Sequence, residues 1–181
     1  MDRRGHRGKR RPVPLKEFAV LDERRGVVRA GGELGRIVGV DFEQFEHGAD
    51  VGVRGFGATP AEAFEGAARA VFALLAEEPG RVRAQVEERL EVEAPGLEEL
   101  LVAFLNELIS LSDARRLVFG RVQVEISGGT SKPFRLMARV QGEPFDPERH
   151  EFTVVPKGAT YTALRVAREG KRWVAQCVVD V

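Results

Sequence analysis

The strongest constraint on how this chain folds is a change of hydrophobic period along its length. Apolar side chains recur at helical spacing between residues 59 and 111, interrupted by one alternating run, and alternate again after residue 121. Thr59-Pro60-Ala61-Glu62 predicts a helix start from three agreeing signals. Thr59 can cap free N–H groups, Pro60 suits the first helical position, and Glu62 completes a capping box. Phe64, Ala67, Ala68, Val71, Leu74 and Leu75 then form one buried stripe, which Pro79-Gly80 ends. After Pro95-Gly96 a second helix puts Leu97, Leu100, Leu101, Phe104, Leu105, Leu108 and Leu111 on one face. Asn106 and Glu107 fall near the edge of that stripe, meeting solvent or capping a neighbouring loop.

Residues 40–47 and 51–56 read as two strands before the first helix, and residues 82–94 as a half-exposed strand between the helices. Val122, Val124 and Ile126 alternate with Arg121, Gln123 and Glu125. A Gly128-Gly129 turn leads into a second alternating run at 134–140. Beyond a proline-bounded loop at 142–151, in which Phe145 can anchor to the core, segments 153–157, 160–168 and 173–180 read as extended. Glu169-Gly170-Lys171 makes a hairpin turn. The pattern predicts an α+β fold, with two amphipathic helices packed on a mostly antiparallel, multi-stranded sheet.

Residues 1–40 lack this periodicity and are expected to be a basic, flexible extension before a domain at 41–181. The first sixteen residues carry Arg3, Arg4, Arg7, Lys9, Arg10, Arg11 and Lys16 against Asp2 alone, a balance of +6. The chain holds 28 basic and 28 acidic residues, so the remainder carries −6. An acidic body is poorly suited to gripping nucleic acid over a broad surface and better suited to cations or a basic protein. No run approaches the ~18 apolar residues of a membrane span, and the basic start lacks the apolar core of a secretory signal. Cys177 is the single cysteine, which fits a reducing, cytoplasmic setting and excludes a cysteine-cluster metal site.

Nucleotide-cradling glycine loops, HExxH and GxSxG are absent from the sequence, and His6, His47 and His150 lie far apart. Two carboxylates stand out by position. Asp50 follows His47-Gly48-Ala49 in a break between two strand-like runs, and Asp180 is next to the final residue, Val181. In the last strand Trp173, Ala175, Cys177, Val179 and Val181 share one face and Asp180 points to the other. Two aspartates and a terminal carboxylate make an oxygen-rich set for a hard divalent cation, calcium or magnesium. The bland alternative is that both aspartates are simply solvated. Lys157, alternating with Ala159 and Tyr161, can pair with a carboxylate, meet a phosphate, or face solvent.

These pieces resemble one family in order. Phe45-Glu46-His47-Gly48-Ala49-Asp50-Val51-Gly52-Val53 is similar to the archease opening F-x-H-T-A-D-[VI]-G-[IV]. The two helices resemble the family's own, the second through Phe104-Leu105-Asn106-Glu107-Leu108. The most specific match is Gly142-Glu143-Pro144-Phe145-Asp146-Pro147-Glu148-Arg149-His150-Glu151. Lys157-Gly158-Ala159-Thr160-Tyr161 resembles K-A-[VI]-T-Y, and Val178-Val179-Asp180-Val181 the terminal [IV]-x-D-[IV]. The likeness covers residues 42–181. Gly48 stands where threonine is usual, Gly158 where alanine is, and Thr162 where histidine is frequent.

The resemblance implies a non-enzymatic activator of the RtcB-type RNA ligase in tRNA splicing or RNA repair. Such a protein promotes ligase guanylylation and multiple turnover, meeting RNA only through the ligase. It also implies a metal site at Asp50, Asp180 and Val181 for calcium, magnesium or manganese, with Lys157 and His47 in the functional set. An extension beyond Val181 is then expected to remove the terminal carboxylate from that site. The alternatives are a stand-alone metal-dependent phosphodiester hydrolase and an RNA-binding protein, the second encouraged only by the basic start.

Overall fold

A computed structural model of the 181-residue chain describes residues 41–76, 78–150 and 154–181. The expected flexible extension at 1–40 lies outside the described residues, as does the start of the strand expected at 153. The capping box holds. Thr59 Oγ1 accepts from Glu62 N at 3.2 Å, and the Glu62 carboxylate reaches back to Ala58 N at 2.7 Å, one residue earlier than the usual reciprocal partner. With Pro60 in the first position this starts α1, Pro60–Leu75. The leucine stripe forms α2, Leu97–Arg115, which ends on Arg116 in the left-handed region (φ 51). Among the described residues no helix is long and apolar enough to cross a membrane.

The strands are β1 (Phe42–His47), β2 (Asp50–Gly57), β3 (Val86–Ala94), β4 (Leu117–Gly129), β5 (Lys132–Pro144), β6 (Gly158–Ala159), β7 (Arg165–Glu169) and β8 (Arg172–Asp180). Their pairings are antiparallel, and they divide between two sheets. One has the order β1-β2-β8-β6, with β7 also pairing β8; the other has the order β3-β5-β4. The α+β class is as the sequence implies, whereas the division into two sheets has no local signal. Its physical origin is α1, which packs on β2 and β8 on one side and on β4 on the other. The helix is therefore buried beyond its expected stripe: Ala63, Gly66, Ala70 and Phe72 are also enclosed. Phe64 stacks on Phe104 of α2 at 6.4 Å between ring centroids, and Phe72 meets Phe119 of β4 at 5.9 Å, joining helices and sheets in one core.

Three expected strands change extent. β3 begins at Val86, because Pro79–Arg81 forms a 3-10 turn. Residues 154–157 are irregular, and only Gly158–Ala159 pairs there. The run at 160–168 is broken: between the pairs Ala159↔Val179 and Arg165↔Gln176 the chain takes six steps against three on β8. Three residues are thus spare, and they are taken up in a turn. Thr160 N and Oγ1 both donate to Val178 O, Val178 N donates to Thr162 O, and Ala163 takes φ 50.

Candidate functional site

The pairing of β2 with β8 ends at Val51↔Val179, and one further step sets Asp50 beside Asp180. Val53, Cys177 and Val179 are buried in the core and Val51 packs against it, so the pleat turns Asp50 and Asp180 together to the opposite face. On the other side of β8, Gly158 pairs with Asp180. Lys157 lies just beyond, donating its backbone N to Asp180 O and its Nζ to Val181 O, both at 2.8 Å. His47 pairs with Asp50 across the β1–β2 hairpin, whose two-residue loop begins with Gly48 at φ +66. A glycine at positive φ in the first loop position is the choice of a type II′ turn, whose twist suits a hairpin. Sheet register thus gathers Asp50, Asp180, Val181, Lys157 and His47 at one end of the five-stranded sheet.

Among the described residues neither Asp50 nor Asp180 has a hydrogen-bonding or ionic partner for its carboxylate, and His47 is exposed. Two carboxylates on adjoining strand ends of one face repel each other, and a cation between them relieves that. With Val181 O the donor set is all oxygen, which suits a hard divalent ion rather than zinc or copper. Three His, Cys, Asp or Glu side chains do not converge anywhere among the described residues. A third protein ligand here therefore has to be a main-chain or terminal oxygen, and Lys157 already engages that of Val181. The residues fit a cation through two aspartates with the lysine as a competing positive charge.

Asn106 clamps β6, the two-residue strand that follows Lys157. From α2 its Nδ2 donates to Ala159 O at 3.0 Å, and its Oδ1 accepts from Ala159 N at 2.8 Å. This two-bond clamp fixes the short β6 against the helix, so the second of the two roles open to it in the sequence applies. Asn106→Ala should cost about 1–2 kcal/mol by leaving a half-buried peptide group unpaired. Thermal unfolding would measure that loss. Faster hydrogen exchange of the Ala159 amide, with the β2–β8 amides still protected, would show that the effect is local; unchanged exchange at Ala159 would contradict the clamp.

The proline-bounded segment is also more than a loop. β5 runs through Pro144, and Glu143 is buried with 1% exposure. Its carboxylate accepts from Arg83 N, Gln85 Nε2, Arg149 Nη1 and His150 Nε2. His150 Nδ1 accepts from Asp146 N at 2.9 Å, so the ring proton sits on Nε2, facing Glu143. Phe145 packs against Ala76, Val82 and Val118 and lies 5.9 Å from the His150 ring, the anchoring role expected for it. No hydrogen bond or ion pair among the described residues joins this network to Asp50, Asp180 or Lys157. Cys177 is fully buried, and burial pushes its thiol up to about 12, so it stays protonated and is no nucleophile.

The Archease protein family model matches residues 42–181. An archease of Pyrococcus furiosus is 41% identical over 141 residues, spanning 77% of this chain and 98% of that protein. One from Methanosarcina mazei is 34% identical over 143 residues, with 79% and 97% covered. The solution structure of protein 1598 from Methanobacterium thermoautotrophicum superposes with a TM-score of 0.69 at 28% identity, over 78% of this chain and 99% of that one.

Proposed function

The chain belongs to the archease family, and from that membership we propose that it activates an RtcB-type RNA ligase, promoting ligase guanylylation and multiple turnover in tRNA splicing or RNA repair. The observation that carries this reading is the register of β2 and β8. It sets Asp50 next to Asp180 as two unpartnered carboxylates at one strand end, Asp50 half-buried and Asp180 exposed, with Lys157 tied to Val181 O alongside. An acidic tip of that kind complements a basic, phosphate-handling active site.

In this reading Asp50, Asp180 and the Val181 oxygen would hold calcium, magnesium or manganese. When bound, such an ion supplies positive charge that offsets phosphate charge during guanylylation. Lys157 either holds a carboxylate of the tip or turns to a nucleotide phosphate, and the Asn106 clamp fixes the neighbouring β6 against α2. His47, exposed at the hairpin end, stands beside Asp50 and contributes to the docking surface. The single buried cysteine suits a cytoplasmic setting.

The test is a turnover assay with the matched ligase, RNA ends, GTP and a divalent metal, adding this protein in substoichiometric amounts. Guanylylated ligase and turnovers should rise, and Asp50→Ala or Asp180→Ala should abolish the gain. Calorimetric titration with calcium, magnesium and manganese should show binding lost in Asp50→Ala. Stimulation that survives both substitutions would discard the site and keep the function. An absence of stimulation with a verified ligase would discard the function.

A further inference from the structure

The outward face of the three-stranded sheet carries arginines and glutamates in equal number, but they are segregated along the strands. Leu90, Val122, Val124, Leu136, Ala138 and Val140 point into the core, so their neighbours in sequence stand outward as a ladder of cross-strand rows. In one row Gln141 lies between Arg121 and Glu87, and Gln141 Nε2 donates to Glu87 at 3.0 Å. In the next, Arg139 lies between Gln123 and Arg89. Further along, Arg135 pairs with Glu91 at 3.3 Å and with Glu93 at 2.5 Å. That end is acidic, with Glu91, Glu93 and Glu125 against Arg135. At the other end Arg139 directly opposes Arg89, a like-charge cross-strand pair that destabilises a sheet.

Among the described residues none of Arg89, Arg121 and Arg139 has a carboxylate within ion-pair distance, and all three are exposed. A hollow of about 350 Å³ opens between Arg121, Gln123, Arg139 and Gln141, with Gly120 at the β4 bulge and Arg69 of α1 as its far wall. Arg69 is neutralised by Asp41 at 2.6 Å and Glu65 at 3.4 Å, so Arg121 and Arg139 are the free charges of the hollow. Its volume is at the small end of the ~300–1,000 Å³ typical of ligand pockets.

We propose that this hollow binds the phosphoryl group of a nucleotide or of RNA, between the guanidinium groups of Arg121 and Arg139. Two planar forks and the free amide of Gln123 offer more donors than the two oxygens of one carboxylate absorb, whereas a phosphate presents three or four acceptor oxygens. Bound there, the anion also relieves the opposition of Arg139 and Arg89. The hollow shares no residue with the Asp50–Asp180 end, so it stands or falls independently of the ligase reading.

The test follows backbone amides 120–123 and 139–141 of the full chain by NMR, with a chelator present to silence divalent metal. The probes are inorganic phosphate, GMP, guanosine, a short single-stranded RNA and a glutamate-rich peptide. Phosphate, GMP and RNA should shift these amides saturably, and guanosine should not. Arg121→Gln and Arg139→Gln should each weaken binding at least about tenfold. Tighter binding of GMP than of RNA identifies the nucleotide as the source of the phosphoryl group, and the reverse order identifies RNA. Both substitutions are at exposed side chains, and Arg139→Gln should leave the urea midpoint unchanged or higher. The proposal is overturned if no phosphate probe moves these amides, if both variants bind as tightly as the parent, or if the acidic peptide binds there as well as phosphate does.

Discussion

Exchanging Gly55 for alanine should cost about 3 kcal/mol or more, a large part of the ~5–15 kcal/mol that holds a domain folded. Gly55 lies on β2, directly beneath α1. A Cβ there would stand 2.0 Å from Ala63 O, 2.1 Å from Ala67 N and 2.6 Å from Gly66 C, all of them helix backbone. Flexible side chains can swing aside from a new methyl group, but a hydrogen-bonded turn of helix cannot. α1 would have to lift off β2, opening the interface that encloses Ala63 and Ala67. Gly66 is the reciprocal contact, since a Cβ on it would lie 2.3 Å from Asp41 O and 2.9 Å from Gly55 Cα. Gly80→Ala is the control: a Cβ at Gly80 meets nothing within 4 Å, and its urea midpoint should move by no more than about 0.5 kcal/mol equivalent. Similar midpoints for Gly55→Ala and Gly80→Ala would refute this account of how helix and sheet are joined.

The same contact shows where sequence reasoning stops. Both helices were legible because their signals are local: a cap at Thr59, a stripe from Phe64 to Leu75, another from Leu97 to Leu111. The long β4–β5 hairpin was legible through its alternation, but its turn is displaced from the expected Gly128-Gly129: both glycines end β4, beside a register shift, and the chain turns at Thr130-Ser131. Gly55 and Gly66 carry no such signal, because a glycine chosen for close approach reads the same as one chosen for a turn. The second sheet was therefore hidden, as was the second buried side of α1. Residues 160–164 read as strand because Thr160, Tyr161 and Thr162 are strand-favouring types, whereas the three spare residues can be counted only once β8 is in place.

The site divides similarly. Asp50 and Asp180 stand out by position, but spacing alone does not tell a shared site from two solvated carboxylates; the motif likeness favoured the site, and the register Val51↔Val179 supplies a physical reason for their proximity. Asn106 looked like any amide at the rim of a leucine stripe, since its partner, Ala159, is 53 residues away in sequence. The Arg89–Arg139 opposition is likewise a matter of register, invisible until β3 lies beside β5.

Glu143→Ala should be the other severe substitution, costing about 3 kcal/mol near neutral pH. It removes the one acceptor shared by Arg83 N–H, Gln85, Arg149 and the His150 ring. Part of the Arg149 charge can turn to water, which keeps the cost toward the lower end for a broken buried pair. The pH dependence separates charge from packing. The hydrogen bond from Arg149 holds the Glu143 carboxyl down at about 2 against an ordinary 4.5; the Arg83 amide and His150 add to this, and burial opposes it. Between those two values the unfolded chain binds the proton and the folded protein does not, so stability rises with pH across that window. The contribution of Glu143 is therefore complete above about pH 4.5 and lost as pH falls through about 2. Urea midpoints of the parent and of Glu143→Gln, measured down this range, should converge as acid is added. Glutamine keeps the shape but turns an amide donor toward Arg149, so near neutral pH the variant should be the weaker of the two. A gap that stays constant into acid would mean that Glu143 acts as a packed side chain and not as a charge, and the ion pair with Arg149 would then be incidental to the fold.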